Sequence, residues 1–142
     1  MKTNKNIIIF VQGLEMQMFL SSILEEDLFT PVVTDHIQDA LEKIIIKDPL
    51  LIIIDMMMPD HQGIKMYRQL KEHDKFKTLP VIMLSTLEKH AFFQLENIEY
   101  TLPHHGLPKP EGFLQKPPET EELIAVIKNI LKPNPKRKTK CL

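Results

Sequence analysis

The sequence predicts an α/β fold, a three-layer sandwich with a five-stranded parallel sheet between layers of helices. Three observations carry that expectation. Strand-like and helix-like stretches alternate five times along the chain. Two of the strand-like stretches, Ile7 to Val11 (IIIFV) and Leu50 to Ile54 (LLIII), are continuous apolar runs, as expected of strands covered on both faces. The helix-like stretches place apolar residues three and four apart, with charges on the opposite side.

Taken in order, Gln12-Gly13 ends the first run. From Glu15 onward Met16, Phe19, Leu20, Ile23, Leu24 and Leu28 fall at helical spacing, opposite Glu25, Glu26 and Asp27. Pro31 to Val33 forms a short strand. Thr34 or Asp35 reads as the N-cap of a helix that turns Ile37, Leu41, Ile44 and Ile45 inward, and Asp48-Pro49 stops it. After the central run, Pro59 and Gly63 mark a loop. A third helix follows, with Ile64, Tyr67 and Leu70 inside and Lys65, Arg68, Lys71 and Glu72 outside.

Leu79-Pro80 opens an apolar strand, Val81 to Leu84, with Ser85 and Thr86 at its carboxyl end. A helix is expected from about Glu88 to Ile98, carrying Ala91, Phe92, Phe93, Leu95 and Ile98. The segment TLPHHGLPKPEG, 101–112, holds three prolines and two glycines and reads as an irregular loop. Phe113 to Gln115 is a last short strand, followed by Lys116-Pro117-Pro118. A helix over Glu119 to Lys132 then closes the fold, with Glu119, Glu121 and Glu122 at its positive end and Leu123, Val126, Ile127, Ile130 and Leu131 buried. The remainder, 133–142 (PNPKRKTKCL), is a basic tail without apolar periodicity, expected to be disordered in isolation. One domain, 1–132, is therefore expected.

The totals agree with one globular domain: 142 residues, 43% hydrophobic and 26% charged. A formal charge of -1 provides no global attraction to nucleic acid or to membrane surfaces. The single cysteine, Cys141, provides neither a disulfide framework nor a cysteine metal site, which fits a reducing compartment. The amino end has too short an apolar run for a secretion signal or a membrane span, so a cytoplasmic location is expected.

In an open α/β sheet, chemistry gathers outside the carboxyl ends of the strands. Asp55, then Ser85 or Thr86, and Lys116 each stand just after a strand-like run. The fold would bring an acid, a hydroxyl and an ammonium into one crevice from distant parts of the chain.

These residues resemble the receiver domains of two-component response regulators. The resemblance rests on Asp55 with Met58, Pro59 and Gly63 after the third strand, Ser85 after the fourth, and Lys116-Pro117 after the fifth. It runs from Ile7 to about Leu131 and implies the flavodoxin-like strand order 2-1-3-4-5, for which a chemotaxis member of the family is a standard example. It also implies that Asp55 is the phosphoacceptor. A carboxylate and an incoming phosphoryl group repel each other, so cations must bring them together, and Lys116 would supply one. Ser85 would donate a hydrogen bond to the phosphoryl group, and Phe113, at the family's aromatic switch position, would rotate inward. The output surface would be the fourth helix, fifth strand and fifth helix. The implied partners are a histidine kinase or phosphotransfer protein, a downstream protein, and a second copy of the chain through that surface. Direct DNA binding is not expected, since no output-domain motif follows Leu131, and membrane association is not expected from the short apolar runs and the charge of -1. Enzymatic activity is expected to extend no further than self-phosphorylation and self-dephosphorylation on Asp55.

The chain departs from the family in two places. Members carry an acidic pair after the first strand that helps to bind Mg2+; here the positions are Gln12 and Gly13. Mg2+ takes oxygen ligands in octahedral geometry, usually one or two carboxylates with waters. The resemblance therefore implies that Mg2+ binding is weakened or absent, with Asp55 as a ligand and Glu15 as a weak second candidate. A pseudo-receiver, a fixed interaction module not phosphorylated in the Mg2+-dependent way, is the alternative. The second departure is the lengthened stretch between Ser85 and Lys116.

Other features carry less. His104 and His105 are adjacent on the 101–112 loop with no third ligand nearby and read as solvent-exposed. Met56, Met57 and Met58 read as a flexible apolar lining beside Asp55. No glycine-rich phosphate loop follows the first strand, which argues against a third reading, a small flavodoxin-like binding protein or phosphatase.

Overall fold

A computed structural model describes residues 4–88 and 108–132. Over these residues five parallel strands form one sheet: β1 (Asn6–Phe10), β2 (Thr30–Thr34), β3 (Leu51–Asp55), β4 (Val81–Ser85) and β5 (Gly112–Gln115). Their order is β2-β1-β3-β4-β5, as the resemblance implies. Four helices are described: α1 (Leu14–Glu26), α2 (Ile37–Lys47), α3 (Gln62–Glu72) and α4 (Thr120–Leu131). The helix expected at 88–98 apart from its first residue, His104 and His105 with most of their loop, and the tail from 133 lie outside the described residues. The loop reading of 101–112 is one residue too long, because Gly112 opens β5.

The unalternating apolar runs follow from burial on both faces. Ile7, Ile9, Leu51 and Ile53 pack against Leu20, Ile23 and Leu24 of α1 and Leu123, Ile127 and Ile130 of α4. Ile8, Phe10, Ile52 and Ile54 pack on the other side against Ala40 and Ile44 of α2 and Ile64, Met66, Tyr67 and Leu70 of α3. Successive side chains of a strand point to opposite faces, so a covered sheet needs apolar residues at every position.

Some expected core positions are on the surface. Ile45 is 67% exposed although Ile44 beside it is buried, and Leu28 is 81% exposed. The contact of a helix with a sheet is a narrow stripe, and α2 spends it on Ala40 and Ile44. Leu28 lies past the end of α1 with φ of 69°, where the chain turns toward β2. Accordingly, Ile44→Ala should cost about 3 kcal/mol in urea unfolding, and Ile45→Ala less than about 0.5 kcal/mol.

The expected cap of α2 also differs. Its N-cap is His36, which makes no side-chain capping bond. Thr34, the last residue of β2, instead donates its hydroxyl to Asp39 Oδ2 at 2.6 Å. That bond holds the Asp39 carboxyl below its ordinary range against the opposing effect of desolvation, with Lys43 beside it adding to the lowering.

Lys71 does not belong to the outer face of α3, for its side chain is only 6% exposed. Its ammonium donates to the carbonyls of Lys77 and Leu79 and lies 3.5 Å from Glu111 Oε1. The same Glu111 oxygen accepts the Val81 N–H at 2.8 Å, and the Tyr67 hydroxyl donates to the Pro108 carbonyl. Residues leading into β5 are thereby fastened to α3 and to the start of β4.

Candidate functional site

The strand register explains why residues so distant in sequence meet. Asp55 pairs with Leu84, which puts Ser85 one step further along β4. Ser85 pairs with Gln115, which puts Lys116 one step beyond β5. The ladder continues past the strand ends, since Met56 N–H donates to the Leu84 carbonyl and Lys116 N–H to the Ser85 carbonyl, each at 2.8 Å.

Asp55 is the last residue of β3 and is 4% exposed. A buried carboxylate needs a countercharge and hydrogen bonds. Lys116 Nζ supplies both, lying 3.0 Å from Oδ1 and 3.0 Å from Oδ2. Oδ1 also accepts the Met57 N–H at 2.9 Å. The two oxygens therefore differ: Oδ1 holds two donors and Oδ2 one.

Of the two hydroxyls open from sequence, Ser85 is fully buried at the end of β4 and Thr86 is exposed beyond it. Ser85 Oγ accepts the Leu87 N–H at 3.0 Å. Phe113 is half-buried in β5, paired with Met83 and packed on the face that holds Tyr67 and Phe10. Met56 and Met58 are buried, while Met57 is partly exposed beside Asp55.

Gly63 is not a loop residue; it lies in the first turn of α3. A Cβ there would stand 2.1 Å from the Asp55 carbonyl oxygen and 2.9 Å from Met56 Cα. Absence of a side chain is what lets α3 start directly against the end of β3.

On the β1 side, Gln12, Gly13 and Glu15 are all exposed. Gly13 has φ of 99°, and the position a Cβ would take faces open space. Among the described residues, no group of three or more His, Cys, Asp or Glu side chains could hold a metal ion. No helix among them is long and apolar enough to cross a membrane.

Sequence reasoning found the three polar side chains and missed their backbone partners, the N–H groups of Met57 and Leu87. Backbone donors carry no residue signature. Gly63 was visible only as a glycine, with nothing to separate a turn from a close approach.

An acid, a hydroxyl and a lysine thus stand together at adjoining strand ends of a parallel sheet of order 2-1-3-4-5. A family model, the response regulator receiver domain, matches residues 13–128, and the chain belongs to that family. Receiver domains of two-component systems generally use Mg2+ for phosphorylation and work with histidine kinases and downstream effectors.

Similar proteins include hybrid signal transduction histidine kinase D of Dictyostelium discoideum, 29% identical over 129 residues, which are 90% of this chain and 8% of that protein. Protein PilG of Pseudomonas aeruginosa is 34% identical over 90 residues, 63% of this chain and 60% of that one. The phosphate regulon transcriptional regulatory protein PhoB of Escherichia coli is 26% identical over 110 residues, 78% of this chain and 44% of that one. The chain thus spans less than two thirds of each of these relatives. Among solved structures, a putative response regulator from Chloroflexus aurantiacus superposes with a TM-score of 0.74 at 22% identity, covering 91% of this chain and 98% of that one. A chemotaxis response regulator of Vibrio cholerae gives 0.72 at 19% identity, covering 91% and 100%. At such identities the structural likeness speaks for the fold.

Proposed function

We propose that this chain accepts a phosphoryl group on Asp55 from a histidine kinase or phosphotransfer protein and relays the signal by protein contact. The observation that carries the reading is the Asp55–Lys116 pair, with both carboxylate oxygens 3.0 Å from one ammonium at the edge of the sheet. A phosphoryl group on Asp55 would meet Lys116 as its countercharge and the buried Ser85 as a hydrogen-bond donor. Ser85 Oγ only accepts the Leu87 N–H, so its own O–H remains to donate; as Ser85 moves toward the phosphoryl group Phe113 follows inward, and the output is a population shift between two packings. The readout surface includes β5 and α4, and a second copy of the chain or a downstream protein would dock there. Chemistry is confined to gain and loss of phosphate on Asp55, and the protein works in the cytoplasm.

Intact mass after incubation with acetyl phosphate and MgCl2 tests this reading. One phosphoryl group should be gained by the folded protein and none by Asp55→Asn. Equal labelling of the variant would place the acceptor elsewhere.

One observation favours the second reading, a pseudo-receiver: the exposed Gln12 and Gly13 at the end of β1. In that case the folded chain stays unlabelled with every donor and binds its partner unmodified.

A further inference from the structure

We infer that phosphoryl transfer to Asp55 in this chain takes place without a divalent cation; the inference rests on the acceptor reading above. The donor set does not fit Mg2+, which takes one or two carboxylates and several waters in octahedral geometry. At the end of β1 stand an exposed carboxamide, Gln12, and Gly13, which has no side chain and faces open space. No cluster of three or more acidic, histidine or cysteine side chains forms among the described residues. Asp55 is itself engaged, with Lys116 on both oxygens and the Met57 N–H on Oδ1.

The same substitutions remove the reason a second cation would be needed. An incoming phosphoryl group is repelled by every carboxylate around it, and a divalent ion offsets that repulsion. Here Asp55 is already balanced by Lys116, so the resting pair is formally neutral. After transfer, Lys116 faces the phosphoryl charge with no neighbouring acidic pair left to compensate. The geometry also selects the nucleophile. Oδ1 is held by two donors and Oδ2 by one, so Oδ2 has the freer lone pair. Oδ2 attacks phosphorus, an O–P bond forms, and the bond from phosphorus to the donor breaks; the leaving group departs with that electron pair. With acetyl phosphate the leaving group is acetate.

The test uses the full chain and acetyl phosphate in two arms, one with excess EDTA and one with MgCl2, read by intact mass beside Asp55→Asn. In parallel, the isotopically labelled protein is titrated with MnCl2 and its amide resonances are followed for paramagnetic broadening. The expected result is the same Asp55-dependent gain of one phosphoryl group in both arms, with no saturable broadening centred on Met56 and Met57. A gain confined to the MgCl2 arm, or saturable broadening at those amides, overturns the inference and leaves Asp55 as acceptor. No gain in either arm, from protein shown to be folded, overturns the acceptor reading and the inference with it.

Discussion

Replacing Lys116 with methionine is expected to destabilise the protein by about 3 kcal/mol, because it strands a buried carboxylate without the cation paired to it. Asp55 and Lys116 have side chains 6% and 17% exposed, so solvent offers little compensation for the lost ammonium. Urea unfolding measures the loss. A double-mutant cycle identifies its cause: Asp55→Asn in the Lys116→Met background should recover most of the stability, since it removes the stranded charge. An equal cost in both backgrounds would assign the effect to lost packing of the lysine stem instead. If Asp55 is the acceptor as proposed, labelling by acetyl phosphate should also vanish in Lys116→Met, even under conditions where the protein is fully folded, because the paired ammonium no longer offsets the approach of two anions.

Gly63→Ala is expected to cost about 3 kcal/mol or more, a large effect for the addition of one methyl group. Alanine is ordinarily favoured over glycine inside a helix by about 1 kcal/mol, so helix propensity predicts the opposite sign. The deciding term is the 2.1 Å approach to the Asp55 carbonyl oxygen, which is backbone and cannot swing aside as a side chain can. Relief requires α3 to move away from β3, taking Ile64 and Tyr67 out of the core they share with Ile52 and Ile54. Urea unfolding of the variant should show the loss, and a stabilised Gly63→Ala protein would mean that α3 tolerates the shift. Because the clash is with the Asp55 backbone, the displaced α3 should also disturb the Asp55 side chain, visible as a changed Met57 amide resonance.

The architecture was legible because its causes are local. A strand covered on both faces must be apolar at every position, and Ile7 to Val11 and Leu50 to Ile54 say so directly. A helix on a sheet shows a stripe, and Leu123, Ile127 and Ile130 mark it plainly. The ordered placement of Asp55, Ser85 and Lys116 after successive strand-like runs was enough to bring them to one edge. Readings failed where two local options look alike. Ile44 and Ile45 are the same residue type, and only the orientation of α2 on the sheet decides which one is buried. Lys71 reads as a surface lysine until Glu111 and the carbonyls of Lys77 and Leu79 close around it.

The sequence by itself determined the alternation of strands and helices, the apolar layers, and the acid, hydroxyl and amine that share an edge. Tertiary structure alone decided that Ser85 and not Thr86 lies buried beside the pair, that Lys116 grips both oxygens of Asp55, and that Gly63 is a contact surface. The physical reason is range. Propensity and periodicity act over a few residues and are written in the sequence, whereas a 3.0 Å ion pair between residues 61 apart depends on the register of three strands at once.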